Sequence, residues 1–122
     1  MFKKMLFILC THGPDEPERA LIPFVMATAA QASDVQVVMG FQAEGVMLAD
    51  KANLDKISAP NFPPFADLVE AYLEGEGEML VCGPCIKTYG INPETDLHAG
   101  AVVVGAATFV ERAVNADSSL VY

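Results

Sequence analysis

A chain of 122 residues with 52% apolar residues and a net charge of −9 is long enough for one domain with a true hydrophobic core. The seven basic residues are scattered, with Lys3-Lys4 the only cluster, which argues against binding to a phosphate backbone, where lysine and arginine must displace counterions. No run approaches the roughly 18 apolar residues of a membrane span, so the high apolar share and positive mean hydropathy predict a sheet covered on both faces and surface buried in an oligomer.

The opening run Met1 to Cys10 mimics a signal peptide, but its apolar core is short and no small-residue cleavage site follows. Met5 to Cys10 reads instead as a buried strand. A turn over Thr11 to Pro14 leads to Asp15 and Glu18, spaced as in a capping box, and Glu16 to Ala32 follows as a helix. Its apolar face carries Leu21, Phe24 and Val25, and Pro23 inside it should kink it. Val35 to Phe41 reads as the second strand, and Glu44 to Asp50 as a short helix. The Pro-rich loop from Ala59 ends at Pro64, which starts a helix with Phe65, Leu68, Val69, Tyr72 and Leu73 on one face, stopped by Gly75.

Glu78 to Val81 reads as the third strand, and a short helix through Lys87 to Gly90 follows Cys82 to Cys85. Ile91 to His98 reads as polar loop, with His98 exposed to solvent. Ala101 to Val104 is the fourth strand. Ala106, Phe109, Val110, Ala113 and Val114 mark the last helix, and Ser119 to Tyr122 the fifth strand. Strands alternating with helices at these lengths predict an α/β fold, a three-layer sandwich around a five-stranded, mainly parallel sheet of flavodoxin-like type. In such sheets ligands sit beyond the carboxyl ends of the strands. Thr11-His12-Gly13, Gln42 to Glu44 and Cys82 to Cys85 all fall on that edge and point to one site.

The chemistry centres on Cys82-Gly83-Pro84-Cys85. Three cysteines cannot build a disulfide framework, and the odd count fits a reducing compartment such as the cytoplasm. A thiol at a strand–helix junction is placed for thiolate formation. Cys10, in an unbroken apolar strand, reads as core. Four readings of the pair stand side by side. The thiols are small buried residues. They join Cys10 and His12 in a zinc site. They form a thioredoxin-type dithiol, although the chain has no Trp and no persuasive cis-proline segment. Or they handle sulfur. His12 is a candidate proton shuttle, Glu44 either orients it or caps its helix, and Asp15, Glu16 and Glu18 read as charges favoured at a helix N-terminus. No Gly-rich phosphate loop occurs and no cofactor is implied.

The segment Leu80 to Ile91 resembles the cysteine motif of the DsrE/DsrF-like sulfur-relay family, in which a strand ends in Cys and a Gly lies eight residues beyond, as Gly90 lies beyond Cys82. The likeness extends to Thr11-His12-Gly13-Pro14 after the first strand, to Gln42-Ala43-Glu44-Gly45-Val46 after the second, and to Val114 through Tyr122. It implies a homotrimer or homohexamer that carries sulfur as a persulfide on Cys82, between donor and acceptor proteins. Thr11, Gly13, Glu44, Gly83 and Tyr89 would line the substrate side, and Cys85 matches a second cysteine that only some members have. Its place three residues from Cys82 would itself let it attack a persulfide there, releasing sulfide and leaving a disulfide. Tyr89 stands where the family usually has Arg.

Overall fold

The computed structural model describes residues 3–122; Met1 and Phe2, the first residues of the signal-like run, lie outside the described residues. Its strands are β1 (Met5–Cys10), β2 (Gln36–Phe41), β3 (Glu78–Cys82), β4 (Val102–Val104) and β5 (Ser118–Val121), and its helices are α1 (Pro17–Ala32), α2 (Phe65–Glu74), α3 (Gly83–Thr88) and α4 (Ala106–Asn115). They form one sheet in the order β4-β3-β2-β1-β5. Every pairing is parallel, with Phe7 opposite Val38, Gly40 opposite Leu80 and Ile8 opposite Leu120.

Strand order dictates the layers. Right-handed crossovers that step from β1 to β4 put their helices on one face, and the return from β4 to β5 puts α4 on the other. Alternate strand residues therefore feed two cores. Ile8, Cys10, Val37, Met39, Phe41, Met79 and Val81 pack under α1, α2 and α3. Phe7, Val38 and Leu80 meet Phe109 of α4. At the centre of the first core, Phe24 stands edge-on to Phe65 and Tyr72, with ring centroids 5.3 and 5.8 Å apart.

Local chemistry departs from the sequence reading at several points. No capping box forms: Asp15 turns back to accept the Gly13 N–H at 2.8 Å, and the N-cap residue Glu16 makes no side-chain cap. Pro23 lies buried within α1 without ending it. The short helix read after β2 is present, wound as a 3-10 helix over Ala43–Ala49. Gly75 caps α2 as read, but the left-handed residue is the next one, Glu76, with φ of 63°. Gly75 is needed for space, since a Cβ there would lie 2.6 Å from the Gln31 side chain.

Candidate functional site

In this topology the chain leaves β3 towards the first face and β4 towards the second. That divergence opens a crevice between the carboxyl ends of two neighbouring strands, the place where open α/β sheets bind ligands. Cys82 ends β3 there and packs against both cores. Gly83 begins α3 with only Val103 and Val104 near a notional Cβ, at 3.5 and 3.7 Å.

Cys82 is the N-cap of α3, with Pro84 in its first turn. Residues at N-cap and N3 face one another across a helix start, so the second cysteine, three residues on, meets the first. The Cys85 thiol donates to Cys82 Sγ at 2.9 Å. The helix ends in a Schellman motif: Gly90 N–H donates to the Lys87 carbonyl and Ile91 N–H to the Ile86 carbonyl, at 3.3 and 2.9 Å. Gly90 supplies the left-handed C′ residue, with φ of 69°, which no β-branched residue would tolerate. Ile86 and Ile91 are both buried beneath it. The eight-residue interval from Cys82 to Gly90 is thus the length of one short helix with its two caps.

Two further loops complete the rim, locked together backbone to backbone. A Cβ on Gly45 would fall 2.0 Å from the Cys10 carbonyl oxygen, and one on Gly13 would fall 2.6 Å from that of Glu44. The lock carries Ala43 in a left-handed conformation, φ 51°, and aims its N–H at Cys85 Sγ, 3.3 Å away. Ala43 is a contributor the sequence did not disclose, because a main-chain donor has no side-chain signature.

Other candidates are placed differently from expectation. His12 Nδ1 faces Asp15 and Glu16 at 3.0 and 3.3 Å, so those acids are partners of His12 and not only helix-end charges. Partial burial would raise the Asp15 carboxyl, but the His12 ring and the Gly13 N–H outweigh it and hold it below the usual range. Glu44 neither orients His12 nor caps by its side chain. It lies towards Tyr89, whose phenol is pushed up by desolvation first and by the Glu44 carboxylate next. Thr11 commits both its N–H and its hydroxyl to the Tyr122 carbonyl, at 2.8 and 2.7 Å; it anchors β1 to β5.

The cysteines divide by environment. Cys10 is fully buried and burial drives its thiol far above the ordinary range, as its core reading requires. Cys82 and Cys85 are half-buried and pack partly against the first core. Cys82 is not the low-pKa thiol its helix-start position suggested. Desolvation raises it first and the neighbouring Cys85 sulfur raises it further, outweighing a helix of only six residues. The zinc grouping fails on geometry. Among the described residues the one convergent donor cluster is His12, Asp15 and Glu16, without a sulfur. His98, expected in solvent, is buried, because the 91–98 loop is held by Asp96 to Lys51 N–H and by His98 N–H to Ala49, at 2.8 and 3.0 Å. Desolvation lowers its imidazole.

The chain belongs to the DsrE/DsrF-like family, whose model matches residues 4–122; that family is associated with sulfur relay. It is 33% identical over 105 residues to an uncharacterized protein, MJ0760, of Methanocaldococcus jannaschii; the match covers 86% of this chain and 38% of the relative. The chain therefore spans less than half the length of that relative. Two solved structures share the fold. The ychN protein from E. coli superposes with a TM-score of 0.67 at 10% identity, covering 99% of this chain and all of that one. MTH1491 of Methanobacterium thermoautotrophicum, a protein of unknown function, superposes with a TM-score of 0.73 at 15% identity over the same shares. At such identities the likeness is one of fold. No helix among the described residues is long and apolar enough to cross a membrane.

Proposed function

We propose that this DsrE/DsrF-like chain is a cytoplasmic sulfur carrier that accepts sulfane sulfur as a persulfide on Cys82 and relays it from a donor to an acceptor protein. The observation that carries the reading is the half-exposed Cys82 at the β3–β4 crevice, in a chain whose family is associated with sulfur relay. Persulfide exchange needs a reachable thiol that can shed its proton. Cys82 meets the first condition, being half-buried at the rim, and a second sulfur stands 2.9 Å from it. A side chain at Gly83 would meet only Val103 and Val104, and Glu44 and Asp15 lie towards Tyr89 on the rim beside Cys85.

Assembly as a homotrimer or homohexamer belongs to the same reading. Val102, Val110, Val114 and Val121 are all exposed on and around the α4 face, an apolar surface suited to burial between copies. A second reading, a thiol–disulfide oxidoreductase, is favoured by the sulfur–sulfur approach alone. Mass spectrometry after incubation with a persulfide donor decides. Wild type should gain about 32 Da, one sulfur atom, and Cys82→Ser should not. An adduct that survives in Cys82→Ser refutes the assignment to Cys82, and reduction of a disulfide substrate without any adduct favours the oxidoreductase.

A further inference from the structure

A carrier needs one cysteine, and a second thiol beside it threatens the cargo. In this chain the second thiol is not incidental. The N-cap and N3 positions of α3 fix Cys85 Sγ 2.9 Å from Cys82 Sγ with nothing between them. From the opposite side the Ala43 N–H reaches Cys85 Sγ at 3.3 Å. That donor is presented by a non-glycine residue held at φ 51°, a conformation unfavourable for an alanine. The conformation persists because Gly45 and Gly13 press its loop against the Cys10 and Glu44 carbonyls. Strain held by surrounding packing is a mark of a working site. The main-chain donor and the helix start together hold the Cys85 sulfur in place beside Cys82.

We propose that this site reduces the sulfur it accepts: Cys85 attacks a persulfide on Cys82 and expels sulfide, making the chain a sulfane-sulfur reductase whenever no acceptor is docked. The proposal rests on the persulfide reading of Cys82. In the step, the Cys85 thiolate attacks Cys82 Sγ. A bond forms between the two Sγ atoms, the bond from Cys82 Sγ to the outer sulfur breaks, and its electron pair leaves with that sulfur as hydrosulfide, which keeps the persulfide hydrogen. The outer sulfur is reduced by two electrons and the cysteine pair is oxidised by two. Two equivalents of a low-molecular-weight thiol then return the disulfide to the dithiol by exchange, yielding the oxidised thiol dimer. An attacker fixed in contact range competes strongly with any thiol arriving from solution. Delivery to an acceptor therefore requires that the acceptor reach Cys82 before Cys85 does.

The test loads the reduced full chain briefly with inorganic polysulfide, removes the excess, and follows intact mass and free sulfide together. Wild type should release about one sulfide per chain and finish about 2 Da lighter than the dithiol. Cys85→Ser and Cys85→Ala should both keep the one-sulfur adduct and release sulfide at least ~10-fold more slowly. With added thiol, wild type should turn over repeatedly. A wild-type adduct as long-lived as that of both variants overturns the reductase and leaves the carrier standing. Absence of both adduct and sulfide in every protein overturns the persulfide reading itself, and the reductase with it.

Discussion

The two faces of the sheet are finished to different degrees. The face under α1, α2 and α3 is closed within the chain: Ile8, Leu21, Phe24, Phe41 and Tyr72 have no exposed surface. Among the described residues the opposite face has one helix, α4, and a core of Phe7, Val38, Leu80 and Phe109. Around it Val114, Val121 and Val110 remain 75%, 68% and 62% exposed. One face stores the folding energy, and the other presents apolar surface outward. Cys82 sits on the seam between them, in contact with both.

Aromatic truncation separates the faces most sharply. Phe24→Ala should cost about 3–5 kcal/mol in urea unfolding, as buried phenylalanines do. Phe109→Ala should cost roughly half as much, because its small, solvent-edged pocket can collapse and leaves less cavity. Equal costs would mean that α4 holds a core as complete as the other. Gly40 sharpens the point, since a Cβ there would meet the Phe109 ring at 2.6 Å. Gly40→Ala should lose roughly 1–3 kcal/mol through overpacking. Most of that loss should vanish in a Phe109→Ala background, a non-additivity expected only of touching residues. Additive losses would place the strain elsewhere.

What the sequence disclosed follows the same division. The buried strands were legible because each is a short run of apolar, β-branched residues bounded by turns, and their alternation with helices implied the parallel sheet. The surplus of apolar surface was legible in part: the stretch around Val102 to Phe109 leaves Val102 and Val103 exposed, whereas the equally apolar Ala20 to Ala30 face, which also suggested surplus surface, buries Ala20, Leu21, Phe24 and Ala27 in the core. Backbone chemistry was hidden. Nothing in Gln42-Ala43-Glu44 announces that Ala43 turns left-handed and donates to a sulfur. Nothing in Glu76 announces that it, and not Gly75, takes the helix-ending conformation. His98 misled for a related reason. Its loop is polar in composition, yet main-chain hydrogen bonds to Ala49 and Lys51 draw it inward. The thiol pair misled in the opposite direction: position at a helix start suggested acidity, and desolvation first, with the neighbouring sulfur at 2.9 Å second, reversed it for Cys82.

A smaller effect concerns what ties the thin face down. Arg112 of α4 holds Glu78 at the start of β3 with two hydrogen bonds, 2.6 and 3.1 Å. Both side chains are partly exposed, 28% and 41%, so solvent screening limits the pair to about 1 kcal/mol even in this bidentate geometry. The arginine hydrogen bonds hold the Glu78 carboxyl below its usual range. A carboxyl with a lowered folded-state value stabilises the fold above its unfolded value, near 4.3, and loses that contribution as the pH falls through the folded one. Arg112→Ala should therefore be less stable than wild type at pH 6, and the gap should narrow on acidification towards pH 3. A gap that stays constant over that interval would show that the arginine acts through its aliphatic stem instead.

The smallest effect on the fold should accompany the largest effect on assembly. Val114 is the most exposed of the large apolar residues on α4, so Val114→Asp removes no core contact and should change monomer stability by no more than ~0.5 kcal/mol. If the α4 face is the one buried between copies, the same substitution places an unpaired carboxylate in an apolar interface. Desolvating a lone charge there costs far more than one valine contact gains. Light scattering should then report an oligomer for wild type and a smaller species for Val114→Asp, with unchanged circular dichroism. Met26→Asp on α1 is the control: that residue is also exposed, at 41%, but lies over the finished face. Loss of assembly in Met26→Asp and not in Val114→Asp would move the interface to α1. The exposed valines of α4 would then require a partner other than a second copy of this chain.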